Sequence, residues 1–334
     1  MKFGPVPVDS AVGAILAHSV MLPDGKRIRK GVVLENGHIQ LLKDAGVQRP
    51  TVGRLMPEDV SEDQAAQRLA DALIPDPIAQ HVRIGPADHG STFLYATVTG
   101  VLVVDPTRVR RTNLVDPEIT VATLEPYTRV SPGMMIGSIK TISYAVPEKK
   151  IARAEAAAMR AIHVEPVKIA TASFIETVLP MSTKESPKGL RAVSHRLKML
   201  GINLIETSRV PHETVALQNA IEAATGDMIL ILTASATSDR RDTAPSALVR
   251  AGGKITRFGM PVDPGHLLFY GALRGRPVIG LPGCARSLVP NGADFVIERI
   301  ACGLTISPSA FAAMGIGGLL KDTSARGLPR SARA

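Results

Sequence analysis

Two arginines and an aspartate stand in a loop of small and hydroxyl residues, between an apolar run and a helix that contains an early proline. The apolar run covers residues 228–232, and the loop and the start of the helix cover 233–247. A short run of this kind is typical of a strand buried on both faces. Backbone N–H groups and hydroxyls in such a loop can face an anion, whose charge the helix N-terminus favours. The segment predicts a phosphate-binding loop, although an ordinary turn between strand and helix fits the same residues.

The elements that must position this loop alternate between strand and helix from residue 167 onward. The patterns predict strands at 167–172, 202–207, 228–232, 254–260 and 276–283, and helices at 186–201, 211–226, 243–253 and 285–303, the last broken near Pro290. This alternation predicts a parallel sheet with helices on both faces. Because ligands bind at the carboxyl ends of such strands, we expect the loops at 171–174, 233–243 and 281–287 to meet there, with 261–268 nearby.

The first 150 residues carry short β-like runs that Gly, Pro and Asp separate, at 12–20, 100–105, 119–124 and 137–146. A helix is predicted at 61–73, where Ser61 and Gln64 have the spacing of a capping box, and another at 148–162. We therefore predict a β-rich α+β N-terminal domain at 1–147 and a connecting helix within 148–166. An α/β domain at 167–305 follows, with a C-terminal extension at 306–334 that is basic and disordered at its end.

Composition narrows the classes of function. The 334 residues carry a net charge of +9, which suits an anionic, phosphate-bearing ligand but also a merely soluble basic surface. Aromatic residues make up only 3% and Trp is absent, which argues against base stacking on nucleic acid. Two cysteines are too few for a disulfide scaffold, and the N-terminus has no secretory signal. No apolar run reaches the length of a membrane span. These features predict a cytoplasmic protein that binds neither nucleic acid nor membrane.

Two segments resemble one family of molybdopterin-binding domains. Residues 232–247 match without a gap the T-T-G-G-T-G-x-x-x-R-D-x-T-P-E-A pattern of molybdopterin adenylyltransferases, through Arg241, Asp242, Pro245 and Ala247. Residues 261–287 resemble the P-G-K-P-L-x-F-G and G-x-P-V-x-G-L-P-G-N-P-x-S patterns of molybdopterin molybdotransferases. That match rests on Pro264, Gly265, Leu268, Gly271, Pro277, Val278, Gly280, Leu281, Pro282, Gly283 and Ser287. The resemblance covers about 167–305 and implies a three-layer α/β/α, mostly parallel sheet.

The resemblance implies a site for molybdopterin or Mo-molybdopterin, a phosphorylated pterin, with Mg²⁺ and a nucleotide as further ligands. In that site Arg241 would stabilise phosphate charge, and Asp242 would hold Mg²⁺ or a pterin amine, so these two are the catalytic candidates and Asp242 the metal ligand. Lys184 and Lys188 lie before a helix, either within reach of the anion or merely solvated. The expected cofactor-binding residues are Thr233, Ser235, Thr237, Ser238, Arg240, Pro264, Gly265, His266, Pro282, Gly283, Cys284 and Ser287.

Several positions depart from the family patterns. Ala234 and Ser235 replace the Gly-Gly pair, His266 replaces a lysine and Cys284 an asparagine. The segment 170–176 matches the family's S-T-G-D-E after the first strand but has no acidic residue at the matching place. These changes favour binding over turnover.

We therefore expect a molybdopterin-binding protein of molybdenum cofactor biosynthesis or delivery; if it is an enzyme, it is a transferase that inserts metal or transfers a nucleotidyl group. The alternatives are a non-catalytic carrier or scaffold for a separate cytidylyltransferase and a nucleotide pyrophosphatase. The chain also resembles the N-terminal part of fusions with a molybdopterin cytidylyltransferase. Expected partners are such a cytidylyltransferase, a molybdoenzyme, and further copies of the chain in a homo-oligomer.

Overall fold

A computed structural model describes residues 1–179 and 187–319. The chain forms two compact units: unit 1 comprises Met1–Val98 and Leu102–Glu165, and unit 2 comprises Thr99–Val101 and the residues from Pro166 onward. Both units mix helices with sheets. Within the described ranges, no helix is both long enough and apolar enough to cross a membrane.

Residues 1–165 are dominated by short strands. These are β1 (Lys2–Pro5), β2 (Ile15–Leu16), β3 (Val20–Met21), β4 (Arg27–Ile28), β5 (Thr51–Arg54), β6 (Asp59–Ser61), β7 (Val82–Ile84), β8 (Ser91–Ala96), β9 (Gly100–Val104), β10 (Ile119–Thr123), β11 (Arg129–Val130), β12 (Met135–Thr141), β13 (Ala145–Pro147) and β14 (Ile162–Pro166). The helices are α1 (Asn36–Asp44), α2 (Glu62–Leu73), α3 (Pro106–Asn113) and α4 (Glu148–Ala158). An antiparallel sheet of order β10-β12-β8-β7 carries α2.

Helices α2 and α4 bury their apolar faces in the core of unit 1. Of the predicted capping box at the start of α2, the Ser61 half is confirmed, because the Ser61 hydroxyl accepts the N–H of Gln64 at 3.4 Å. Helix α4 buries Ile151 and Ala154 in the same core. It ends at Ala158, four residues before the predicted end, because Arg160 adopts a left-handed φ of 53° and the chain turns into β14.

Unit 2 contains one six-stranded sheet of order β16-β15-β17-β20-β19-β18. Its strands are β15 (Thr171–Val178), β16 (Asn203–Pro211), β17 (Met228–Leu232), β18 (Lys254–Phe258), β19 (Phe269–Leu273) and β20 (Arg276–Leu281). Its helices are α5 (Lys188–Leu200), α6 (Thr214–Ala223), α7 (Thr243–Arg250), α8 (Gly292–Ala301) and α9 (Pro308–Ala313). The first four strands in this order pair in parallel, whereas β19 is antiparallel to both of its neighbours.

Strand β17 is buried along its whole length, as its apolar run predicts. Its alternate side chains enter two different apolar clusters, because successive residues of a strand point to opposite faces. Met228, Leu230 and Leu232 pack with residues of α5 and α8. Ile229 and Ile231 pack with residues of α6 and α7. The two clusters therefore lie on opposite faces of β17, with residues of α5 and α8 on one side and residues of α6 and α7 on the other.

Several predicted boundaries in unit 2 are wrong. The first strand runs over Thr171–Val178 rather than 167–172. Its polar residues Ser173, Glu176 and Thr177 can lie in a buried strand because each has a hydrogen-bond partner there. Consequently, segment 170–176 lies mostly within the strand and is not the segment that follows it. The following residues 180–186, which include Lys184, lie outside the described residues.

The predicted helix at 285–303 is two elements. A 3-10 turn over Gly283–Arg286 ends before Pro290, and α8 then begins behind the Asn291 side chain, which accepts the N–H of Ala293 at 2.9 Å. Strand β19 was not predicted. Within the expected C-terminal extension, α9 buries Phe311 in the core of unit 2. The end of that extension, 320–334, is outside the described part of the chain.

Candidate functional site

Strands β15, β17 and β20 end side by side at the carboxyl edge of the sheet in unit 2, where the sequence predicts a ligand. Arg286 connects the three strand ends. One guanidinium nitrogen, Nη2, donates to the carbonyl oxygen of Thr233 at 2.8 Å, and Nη1 donates to Oε1 of Glu176 at 2.8 Å. The segments that follow β17 and β20, which we predicted to meet, are thus joined directly by a hydrogen bond.

A basic pocket opens at this edge, which we call the Arg286 pocket. Its volume is about 530 Å³, and its described lining is Lys188, Arg191, Gly283, Cys284, Arg286, Ser287 and Leu288. Three of these side chains are cationic, and the described lining contains no carboxylate. Helix α5 begins here at Lys188, and its N-cap residue Pro187 has no side-chain acceptor, so the first N–H groups of the helix add to the positive potential. The pocket suits an anionic ligand of small-molecule size.

The 3-10 turn that lines the Arg286 pocket is held from behind by Arg196 of α5. This arginine is only 5% exposed, and its Nε donates to Asp294 of α8 at 2.7 Å. Its two remaining nitrogens donate to the carbonyl oxygens of Ala285 at 2.9 Å and Ser287 at 3.0 Å. Because these carbonyl groups have a buried charged partner, the turn is fixed against both α5 and α8.

Glu176 fixes Arg286 from the opposite side. Its side chain is buried, with Oε1 on Arg286 and Oε2 at 3.6 Å from Nε of Arg209. Gly189 of α5 lies directly over this pair. A Cβ at residue 189 would come within 2.6 Å of Leu232 Cδ2 and 3.1 Å of Glu176 Oε1, so only glycine allows the helix this close.

In the loop after β17, the threonine hydroxyls form hydrogen bonds with other residues of the same loop. Thr233 Oγ1 donates to the carbonyl oxygen of Ser235 at 2.6 Å and lies 3.4 Å from the hydroxyl of Thr237. Both threonines are buried. The N–H of Ala234 donates to Oγ1 of Thr177 at 2.8 Å. Of the four expected hydroxyl donors, Ser235 and Ser238 are the exposed ones.

Asp242 caps helix α7 with one carboxylate oxygen and holds the preceding loop with the other. Oδ1 accepts the N–H of Thr243 at 2.7 Å, and Oδ2 accepts the N–H of Ser238 at 3.1 Å. The carboxylate thus closes the loop onto the helix, which is a common use of aspartate at this position. Within 1–179 and 187–319, no group of three or more His, Cys, Asp or Glu side chains is placed to hold a metal ion.

Arg240 and Arg241 line a different pocket, which we call the Arg240 pocket. It has a volume of about 480 Å³ and is lined by Thr214, Arg240, Arg241, Ser246, Val249 and Arg250. Since this lining comes from α6, α7 and the loop before α7, the pocket lies on the α6–α7 side of the sheet, away from α5. The structure therefore separates Arg240 from Gly283, Cys284 and Ser287, which line the Arg286 pocket.

The segment before β19 contributes to packing around the start of α8. The N–H of Gly292 donates to the carbonyl oxygen of Pro264 at 2.8 Å, and a Cβ on Gly265 would lie 2.7 Å from the Gly292 nitrogen. His266 is exposed, with Nδ1 4.0 Å from Asp263. Pro282 precedes the 3-10 turn of the Arg286 pocket. Pro264, Gly265 and His266 are not part of the described lining of either pocket.

Sequence reasoning missed Arg191, Arg250 and Thr214. Arg191 follows Lys188 by three residues, a spacing that puts both cations on one face of a helix start, and this signal was available. Arg250 and Thr214 meet only because α6 packs beside α7, which no local pattern indicates.

Comparison with known proteins gives limited matches. A family model described as a domain of unknown function (DUF8806) matches residues 5–53, which contain a small separate apolar cluster of unit 1. No curated protein matches the chain.

Two solved structures are similar to the chain at low identity. The molybdopterin biosynthesis moea protein from Pyrococcus horikosii has 16% identity and a TM-score of 0.33, with 90% of this chain and 75% of that chain covered. A molybdenum cofactor biosynthesis protein from Pyrococcus furiosus has 12% identity and a TM-score of 0.27, with coverages of 93% and 65%. The present chain thus spans less than two thirds of the second protein. At these values the likeness does not establish a function.

Proposed function

We propose that unit 2 binds molybdopterin or Mo-molybdopterin, with the terminal phosphate of the pterin in the Arg286 pocket. The observation that carries the proposal is the convergence of Lys188, Arg191 and Arg286 at the carboxyl edge of the parallel strands. Arginine and lysine suit phosphate oxygens, and arginine can donate to two of them at once. The motif at 261–287, whose residues Gly283 and Ser287 line the pocket, supports a pterin as the rest of the ligand.

The residues of the pocket fit such a ligand. A Cβ on Gly283 would meet nothing within 4 Å, so the backbone there stays open to a bound group. The exposed apolar side chain of Leu288 offers a surface for the flat pterin ring. Two nitrogens of Arg286 already donate to Glu176 and Thr233, so within the described lining Lys188 and Arg191 supply most of the positive charge for the ligand. In this proposal the sheet and its helices form a three-layer α/β/α domain of molybdopterin-binding type.

Within this proposal, the chain acts in molybdenum cofactor biosynthesis or delivery as a carrier. Asp242, the candidate for metal and pterin contact, already accepts two backbone N–H groups. The buried hydroxyls of Thr233 and Thr237 are likewise used inside the loop. This arrangement favours binding over metal insertion or nucleotidyl transfer. A cytidylyltransferase or a molybdoenzyme would receive the cofactor, and we propose a cytoplasmic homo-oligomer as the working form.

Anaerobic titration of the full chain with molybdopterin tests the binding. The double variant Lys188→Ala/Arg191→Ala should weaken binding at least tenfold, because two phosphate contacts are lost. Lys198→Ala, which removes one exposed charge at the far end of the same helix, is a control and should leave affinity unchanged. Equal affinity in all three proteins would overturn the site.

A second experiment separates a carrier from an enzyme. The protein with bound molybdopterin is incubated with molybdate, Mg²⁺ and a nucleoside triphosphate, and the cofactor forms are followed over time. The carrier proposal expects the bound pterin to be recovered unchanged. Formation of a metal-loaded or nucleotidylated product at catalytic turnover would contradict it.

A further inference from the structure

The Arg240 pocket presents three guanidinium groups on the opposite side of the sheet from the Arg286 pocket. Arg240 and Arg241 come from the loop before α7, and Arg250 comes from the last turn of that helix. Each guanidinium offers several N–H donors in a plane, which matches phosphate oxygens better than an ammonium group does. Charges of one sign that converge from separate segments raise the local concentration of an anionic ligand.

The exposed stripe of α7 forms one wall of this pocket. Ser246, Val249 and Arg250 are related by three and four residues, so they lie on one face of the helix. The other face carries Ala247 and Leu248, which are buried against the sheet. Because that face is fixed in the core, the stripe is held rigidly toward solvent.

The loop that carries the two arginines is fixed to the same helix. The Ser246 hydroxyl donates to the carbonyl oxygen of Arg241 at 2.8 Å, and the N–H of Arg241 donates to Oδ1 of Asp239 at 2.8 Å. The guanidinium of Arg241 also contacts Asp239, with Nε 3.1 Å from Oδ1. Both side chains are more than half exposed, at 92% and 57%, so this pair can exchange for a ligand at small cost.

We propose that the Arg240 pocket is a second anion site, separate from the pterin site, that takes the phosphate or pyrophosphate group of a small molecule. Its volume of about 480 Å³ is in the range of small-molecule pockets. Thr214 adds a hydroxyl for a phosphate oxygen, and the exposed Val249 adds an apolar surface for the remainder of the ligand. The proposal does not depend on the pterin site, since no residue is shared between the two described linings.

Calorimetric titration of the full chain with pyrophosphate, and separately with a nucleoside diphosphate, tests this site. We expect Arg240→Ala/Arg250→Ala to weaken binding of these probes at the second site at least tenfold, whereas Arg250→Lys retains part of the affinity. Lys188→Ala/Arg191→Ala removes the same number of positive charges and should leave the second site intact, so it controls for net charge; Lys198→Ala, which removes one charge, is a further control. Thermal unfolding of each variant checks that it is folded. Tighter binding of the nucleotide identifies a nucleotide as the ligand, and equal affinity identifies the free anion.

Three results would overturn the proposal. The first is no binding of either probe at low ionic strength, and the second is binding that Arg240→Ala/Arg250→Ala leaves unchanged. The third is an equal loss in Lys198→Ala, which would show a general charge effect. Loss only in Lys188→Ala/Arg191→Ala would support the pterin site while removing the second one, so the two proposals fail independently.

Discussion

Arg286 donates from Nη2 to the carbonyl oxygen of Thr233 at 2.8 Å, across the carboxyl ends of two neighbouring parallel strands. Its Nη1 is held at the same time by the buried carboxylate of Glu176. The arginine thus ties together the segments after β17 and β20 that the sequence motifs single out.

The ion pair of Arg286 and Glu176 should be worth measurable stability. Among the described residues, Arg286→Met leaves the buried carboxylate with the more distant Arg209, so we expect a loss of about 1–3 kcal/mol in the free energy of unfolding. Glu176→Gln in the same protein should restore part of it, because a neutral amide costs less to leave unpaired. Urea unfolding followed by circular dichroism gives the coupling, and strictly additive effects of the two changes would contradict a direct pair.

Arg196 should matter more for stability than any exposed cation of α5. Arg196→Met removes the charged partner of Asp294 and of two turn carbonyls inside the protein, so we expect a cost of about 3–5 kcal/mol. Lys198→Met on the same helix should change the stability by less than about 0.5 kcal/mol. Thermal and urea unfolding compare the two. If Arg196→Met were as stable as Lys198→Met, the turn would not depend on this contact.

Gly280 should tolerate no side chain. A Cβ there would lie 1.9 Å from a ring carbon of Phe269, so Gly280→Ala forces neighbouring strands or the ring to move. Overpacking of this kind costs about 1–3 kcal/mol. Gly283→Ala is the matched control, since a Cβ there meets nothing within 4 Å. A melting temperature for Gly280→Ala as high as that of the control would contradict the close contact between β19 and β20.

Glu206 should contribute to stability in a pH-dependent way. The Ser173 hydroxyl, together with the backbone N–H and hydroxyl of Thr225, lowers the pKa of Glu206 below its ordinary value of 4.5. Since the pKa is lower in the folded state, the contribution is complete above pH 4.5 and is lost as the pH falls below it. Glu206→Gln should therefore be less stable than the unmodified chain at pH 7, by about 1 kcal/mol, and the difference should shrink at pH 3.

Urea midpoints at both pH values measure that difference. Glu222→Gln changes an exposed glutamate on α6 and serves as the control, with little effect at either pH. A difference for Glu206→Gln that is constant from pH 7 to pH 3 would show that the carboxylate is not stabilised by Ser173 and Thr225.

The sequence predicts those elements whose residues follow a simple pattern. Strand β17 is apolar throughout and was predicted in full, because a strand buried on both faces needs no polar side chain. Strand β15 was misplaced because Ser173, Glu176 and Thr177 interrupt the apolar pattern. Their burial is tolerated because they form hydrogen bonds with Gly226, Arg286 and Ala234, respectively, and these bonds exist only in the folded chain.

The sequence predicts the type of site, an anion site at the carboxyl edge of the sheet, but not how its residues are grouped. The turn after β20 and the loop after β17 were expected at one edge of the sheet, and they are joined there. The separation of Arg240 and Arg241 from the Arg286 pocket depends on which face of the sheet α7 covers. That choice follows from packing of Ala244, Ala247 and Leu248 against the sheet, which the order of residues along the chain does not specify.

The most direct test of the account is the crystal structure of the full chain with molybdopterin, solved anaerobically at saturating concentration. We predict density for the terminal phosphate between Lys188, Arg191 and Arg286, with the pterin ring near Leu288. Phosphate density in the Arg240 pocket alone, or an unchanged Arg286 pocket in a crystal that contains the ligand elsewhere, would contradict the central claim.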